Sequence, residues 1–222
     1  PPPKLTVPAP ADKLQPMPRL TDYVSHADAL RHFSSAALWE LFDGDRARLN
    51  IAHECIDRWA DDATRIAIRL AFGDGSLQEL TFADIAAQSA RFAHWLGTKS
   101  VAPGDRVAIM LEPSLPFYAS LFGAMKAGAV AVPLFTLFGP DGVRLRVDDC
   151  APKLLLTNAE KAATTGALPA TETIVADDAF LASLASFPTD HAANTKADDM
   201  AMFQYTSGTT REVPEAIKHT HR

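Results

Sequence analysis

No cluster of lysine and arginine appears in the 222 residues, and the formal charge is −6. Binding to nucleic acid or to an anionic membrane surface is carried by such clusters, so neither is expected as a partner. Cysteine is nearly absent. Cys55 and Cys150 stand far apart with no Cys-x-x-Cys or Cys/His spacing, which excludes a disulfide framework and predicts free thiols in a reducing cytoplasm. The seven histidines are scattered, and His219 and His221 are two apart, so no metal site from protein ligands is expected. No secretory leader is expected from the N-terminal residues, which are proline-rich and lack an apolar core segment. The largely apolar stretch 115–138 is no membrane span, because Lys126 at its middle would cost about 2.5–3.5 kcal/mol at a bilayer centre. Pro116, Gly128 and Pro133 break it into helix and strand lengths. There is no internal repeat, no heptad pattern and no Gly-x4-Gly-Lys-Ser/Thr loop, and no Gly-x-Gly-x-x-Gly follows a strand, the last of which argues against a nicotinamide-type dinucleotide domain.

What is present is an alternation of helix and strand patterns. Residues 1–20 hold seven of the sixteen prolines and read as an extended arm. Leu30, Phe33, Ala37, Leu38 and Leu41 predict a helix over 28–42. Asn50 is placed to cap a helix over 51–60. Ile66, Ile68, Leu70 and Phe72 alternate as a half-buried strand, and Gly73-Asp74-Gly75-Ser76 turns it into a second strand over 77–80. Thr81 with Asp84 forms a capping box for a helix bearing Ile85, Ser89, Phe92 and Leu96 on one face. The continuous apolar run after Arg106 suits a strand covered on both faces, as in a parallel sheet. A helix over 115–127 stopped by Gly128, and a strand over 129–132, complete a βαβ unit. A helix over 141–150, strands over 153–157 and 173–176, a helix over 178–185 and a final strand over 199–203 follow. Trp39, Trp59 and Trp95 read as packing residues, and Asp148-Asp149 as a solvated helix end. The fold class is α/β, a layered parallel or mixed sheet with flanking helices.

Behind the last strand come Thr206, Ser207, Gly208, Thr209 and Thr210: four side-chain hydroxyls around a glycine that lets the backbone turn closely. Successive N–H groups in such a loop form a concave donor site for phosphate oxygens, and hydroxyls can ligate Mg²⁺. Composition alone favours a solvated surface loop, because such clusters are ordinary loop material.

Tyr205-Thr206-Ser207-Gly208-Thr209-Thr210, followed by Pro214 and His219-Thr220-His221, resembles the phosphate-loop signature of the AMP-forming acyl-CoA synthetases, within the adenylate-forming ligases. Further landmarks resemble the acetyl- and medium-chain branch in the right order: Leu49-Asn50-Ile51, Ile56-Asp57-Arg58, Glu79-Leu80-Thr81-Phe82, the Gly104–Ile109 segment, Gly128-Ala129-Val130, Phe138-Gly139 and the segment from Ala151 to Leu155. The family pattern continues Gly-x-Pro-Lys-Gly. Here Arg211-Glu212-Val213 precede Pro214, one residue more, and Glu215-Ala216 replace Lys-Gly. A carboxylate in the usual lysine position opposes bound polyphosphate by Coulomb repulsion unless Arg211 or Lys218 points inward or Glu215 points away.

The resemblance implies a two-step reaction. A small carboxylic acid attacks the α-phosphorus of ATP to give an acyl-adenylate and pyrophosphate, with Mg²⁺; the thiol of coenzyme A then displaces AMP. Thr206 to Thr210 are the expected ATP-phosphate contacts, with Arg211 and Lys218 as further candidates, and no catalytic residue is assigned within the chain. By the same resemblance the acid pocket, the adenine contacts and a C-terminal domain come later, so the acid is not specified here. The expected organisation is an arm and first helix over 1–48, then a partial adenylation domain over 49–222 whose partners are the remainder of that domain and the C-terminal domain. The chain alone is expected to be inactive. The competing expectation is a non-catalytic α/β nucleotide-binding or interaction module derived from this fold, which the Glu215 departure favours.

Overall fold

The computed structural model describes residues 22–205 and 215–222, which fall into two compact units divided after Phe42. In the first unit the single helix expected over 28–42 is two, α1 (His26–His32) and α2 (Ser35–Trp39). Serine makes the break. Ser25 accepts the Asp28 N–H and Ser34 the Ala37 N–H, each as an N-cap, and Phe33 and Ser34 are extended between the helices. A serine hydroxyl competes with the helical ladder for backbone partners, so the second cap outweighs the apolar stripe.

The second unit begins with α3 (Ile51–Cys55), capped as expected by Asn50, whose side chain accepts the Ala52 N–H. The helix stops five residues before its expected end and a 3₁₀ turn, Asp57–Trp59, follows. The Glu54 carbonyl, which a longer helix would pair with residue 58, instead accepts the Trp59 indole N–H at 3.1 Å. Next, β1 (Ile66–Ala71) and β2 (Leu77–Thr81) form a separate antiparallel pair, turned through Gly75 at φ +83°. Their Leu70 and Leu80 are buried with Ile56 and Ile85.

The second sheet carries the chemistry. Helix α4 (Phe82–Thr98) starts at the Thr81/Asp84 capping box. It is followed by β3 (Arg106–Met110), α5 (Leu115–Lys126), β4 (Val130–Pro133), α6 (Pro140–Cys150), β5 (Leu154–Thr157), α7 (Ala159–Thr165), β6 (Glu172–Val175) and α8 (Asp178–Ser183). The described chain ends in β7 (Met200–Tyr205) and β8 (Ala216–Thr220). The strands lie in the order β6-β5-β3-β4-β7-β8, all neighbours parallel except the β7–β8 pair. The α/β class with a mixed sheet is therefore the observed one.

Strand β3 shows why the apolar run is unbroken. Val107 and Ile109 join the core shared with α4 and α5, while Ala108 and Met110 join the one shared with α6, and all four are fully buried. Three further elements differ from expectation. Helix α7 forms where no helix was expected. The helix over 178–185 ends in a 3₁₀ turn, Leu184–Ser186, and β8 returns along β7 where no strand was expected. Lys126 is buried at 2% exposure, its ammonium 2.6 Å from Asp57 Oδ1 and 3.0 Å from the Ala86 carbonyl. Burial lowers its pKa, and Asp57 opposes that shift. Among the described residues no helix is long and apolar enough to cross a membrane.

Candidate functional site

Parallel sheets bind ligands in the crevice outside the carboxyl ends of their strands, where loops replace the covering helices. Here β3, β4 and β7 end together on a cleft of about 720 Å³. Leu111, Glu112 and Phe117 enter it after β3, Leu134 to Phe138 after β4, and Gln204 and Tyr205 from the end of β7. The lining is mainly apolar, with Phe135 and Leu137 well exposed. At its rim the Thr136 hydroxyl donates to the Glu112 carboxylate. An apolar cleft with a few convergent polar groups can take the apolar part of a small ligand and orient it.

The expected phosphate contacts Thr206, Ser207, Gly208, Thr209, Thr210 and Arg211 lie outside the described residues. Their two ends are placed. Tyr205 pairs directly with Ala216 at the base of the β7–β8 hairpin, and Tyr205 is part of the cleft lining. Glu215 is exposed at that base. Lys218 pairs with Phe203, and its ammonium lies over the Phe203 ring, 5.3 Å from the centroid. That position is two residues back from the hairpin base, about 7 Å along the strand.

Several groups around the hairpin were not legible in advance. The Tyr205 hydroxyl reaches α6, 2.5 Å from Asp149 Oδ2 and 3.3 Å from the Arg146 carbonyl. Asp149, expected to end its helix in solvent, is thus a hydrogen-bond acceptor. Burial first, and the Asp149 bond second, push the Tyr205 phenol pKa well above its usual value, so the hydroxyl stays protonated. Arg146 is buried at 7% exposure, with its guanidinium over the Phe138 ring. His221, buried in the unit, accepts the Ile51 N–H on Nδ1 at 3.1 Å; it caps α3. Desolvation lowers its pKa to about 4, against a small opposing effect of Asp199, so the ring is neutral at pH 7. Among the described residues no three His, Cys, Asp or Glu side chains converge as a metal site, and Cys55 and Cys150 are free thiols.

An apolar cleft beyond the carboxyl ends of β3, β4 and β7 in a mostly parallel sheet defines the class: an α/β protein with a ligand crevice at the strand ends. The chain belongs to the AMP-binding enzyme family, whose model matches residues 56–222. It is 35% identical over 188 residues to the long-chain-fatty-acid–AMP ligase FadD32 of Mycolicibacterium smegmatis, covering 77% of this chain and 29% of that protein. It is 32% identical over 139 residues to the acetyl-coenzyme A synthetase of Bacillus subtilis, covering 61% of this chain and 24% of that protein. The structure superposes on the acyl-CoA synthetase of Brucella canis with a TM-score of 0.75 at 31% identity, over 88% of this chain and 38% of that one. The chain therefore spans under a third of the length of these two curated relatives, and it corresponds to the N-terminal portion of an adenylate-forming ligase.

Proposed function

We propose that this chain supplies the phosphate-binding part of an ATP-dependent acid–CoA ligase. In the full-length protein a carboxylate oxygen attacks the α-phosphorus of ATP, the bond to the β-phosphate oxygen breaks, and pyrophosphate leaves. The thiol of coenzyme A then adds at the acyl carbon and AMP departs. The chemical difficulty is the charge that grows on pyrophosphate, which fixed N–H donors, hydroxyls and Mg²⁺ neutralise. In this reading Thr206, Ser207, Gly208, Thr209 and Thr210 hold the β- and γ-phosphates, with Arg211 and Lys218 adding positive charge. Mg²⁺ would arrive with the nucleotide, where the hydroxyls of Thr206, Ser207, Thr209 and Thr210 could ligate it and its charge would offset that of the departing pyrophosphate.

The observation that carries this reading is the pairing of Tyr205 with Ala216, which fixes the ends of the hydroxyl-rich segment beside the cleft of an AMP-binding fold. The domain division we propose is an arm and first helix over 1–48 and a partial adenylation domain over 49–222, completed by the remaining adenylation residues and a C-terminal domain. The two free thiols support a cytoplasmic site of action.

Acid-dependent exchange of pyrophosphate into ATP tests the reading. The full-length protein is expected to catalyse it with acetate, a longer fatty acid or benzoate, and residues 1–222 alone to form no acyl-hydroxamate. Absence of exchange with every acid, together with retained ATP binding, would instead establish the non-catalytic module, which the exposed Glu215 in the usual lysine position favours.

A further inference from the structure

The chain returns to the sheet through an irregular segment, 187–199, between the 3₁₀ turn at Leu184–Ser186 and β7. Its two halves are held by different chemistry. The later half is fastened by backbone and a hydroxyl. The Leu49 N–H donates to the Thr195 carbonyl at 3.0 Å, the Thr195 hydroxyl to the Leu49 carbonyl at 2.6 Å, and the Ala197 N–H to the Arg46 carbonyl at 3.2 Å. None of these groups titrates near neutral pH. The earlier half is fastened by imidazole. His94 of α4 donates from Nε2 to the Asp190 carbonyl at 2.9 Å, and the half-buried His191 ring packs edge-on against it, centroids 5.0 Å apart at 65°.

Neutral rings in this edge-to-face arrangement attract each other. Two imidazolium rings at the same separation repel, and histidine gains its charge just below neutral pH. The surroundings set how readily the protons are taken. From α5 the buried Lys126 ammonium adds a like charge, and from the 3₁₀ turn after α3 the Asp57 carboxylate opposes it. That carboxylate is already paired with Lys126 at 2.6 Å. Asp190, next in the chain, also favours a charged ring. The cleft of about 390 Å³ that His191 lines carries Asp43, Asp45, Arg48, His53 and Glu54 as well, and Arg58 engages Asp43 and Glu54. Burial first, then His94 and Lys126, lower the His191 pKa against Asp57 and Asp190. A depressed folded value means that the docked segment takes its proton later than the released one. Docking is therefore complete above about pH 6.5 and weakens as pH falls.

We propose that residues 188–194 form a pH-sensitive strap, held on α4 at neutral pH by the His94–His191 pair and released when both rings are charged, while the Thr195 anchor stays fixed. The strap stands apart from the nucleotide reading. Cleavage of the full-length protein by a protease of broad specificity measures release, with rates at pH 7.5 and 5.0 each divided by those for a free peptide of residues 186–196. At pH 5.0 His221, with its pKa of about 4, is still mostly neutral, so its own bond persists. Cleavage within 188–194 should be about tenfold faster at pH 5.0, between the bulk-water and protein-surface values for two unit charges about 5 Å apart. His191→Gln and His94→Gln remove one charge each and should abolish most of that rise. The second keeps a donor for the Asp190 carbonyl and covers the case of a His191 variant that fails to fold. Histidine C2-hydrogen exchange, read by mass spectrometry, supplies the reciprocal measurement: the midpoint of His191 should rise in His94→Gln, and that of His94 in His191→Gln. Unmoved midpoints, an equal acid-induced rise in the glutamine variants, or no rise in the unsubstituted protein would overturn the proposal. So would new cuts in α4 and β3 alongside those in 188–194, which mark general unfolding.

Discussion

His221, the last-but-one residue of the chain, accepts the first backbone N–H of α3, that of Ile51, on its Nδ1. The strand that returns from the hairpin is thereby fastened to a helix 170 residues earlier. The bond requires a neutral ring, and burial holds the folded pKa at about 4 against an ordinary value of 6.5. A depressed folded pKa means that the unfolded chain binds the proton first as pH falls. The stabilisation is therefore complete above about pH 6.5 and is lost progressively as pH falls towards 4, on the order of 2–3 kcal/mol. Urea midpoints at pH 7.5 and 4.5 should differ by that amount more in the unsubstituted protein than in His221→Gln. An equal pH dependence in both would refute this.

Lys126 and Asp57 form a buried pair whose members are worth more together than apart. Lys126→Ala leaves a partly buried carboxylate without its ammonium, and should destabilise by about 3 kcal/mol. Lys126→Met with Asp57→Leu should recover most of that loss, because neither desolvated charge remains. A thermal-melting double-mutant cycle that returns additive effects would contradict the pairing.

Gly123 sits where α5 crosses α4. A Cβ there would fall 2.6 Å from the Ser89 carbonyl oxygen and 2.7 Å from Phe92 Cδ1. Gly→Ala in a helix interior normally gains about 1 kcal/mol. Here the contact is with backbone, which cannot swing away, and overpacking costs about 1–3 kcal/mol. Overpacking wins, so Gly123→Ala should lower the melting temperature. A rise would mean that the two helices can part without cost.

Much of this architecture is visible in the residue pattern, and the two misplaced helices share a cause. The Thr81/Asp84 box, the Asn50 cap and the apolar run of β3 are local signals, and each produced its element. Helix 28–42 and helix 51–60 were misjudged because one hydroxyl and one indole claimed backbone groups that an apolar stripe does not report. The cleft was illegible for a different reason. Its walls follow β3, β4 and β7, elements brought side by side only by the sheet, and Glu112, Thr136 and Tyr205 carry no spacing that links them. The one usable signal is positional: residues just past the carboxyl end of a buried parallel strand face the crevice. Arg146 gives no such signal, since a lone arginine in a helix pattern ordinarily points to water.

Glu215 bears most directly on the proposed activity. It is exposed immediately before Ala216, at the base of the segment proposed to hold the β- and γ-phosphates. At about 4 Å a single charge contributes roughly 1 kcal/mol in bulk water and several times that at a protein surface. Replacing a carboxylate by an ammonium changes two charges, so Glu215→Lys in the full-length protein should tighten ATP by about tenfold, with the gain shrinking as salt rises. The acid should bind as before, since the change is confined to the nucleotide end. Calorimetric titration with Mg-ATP at low and high ionic strength measures both effects. A Glu215→Lys protein that binds ATP no more tightly at either salt concentration would place this carboxylate outside the reach of the triphosphate.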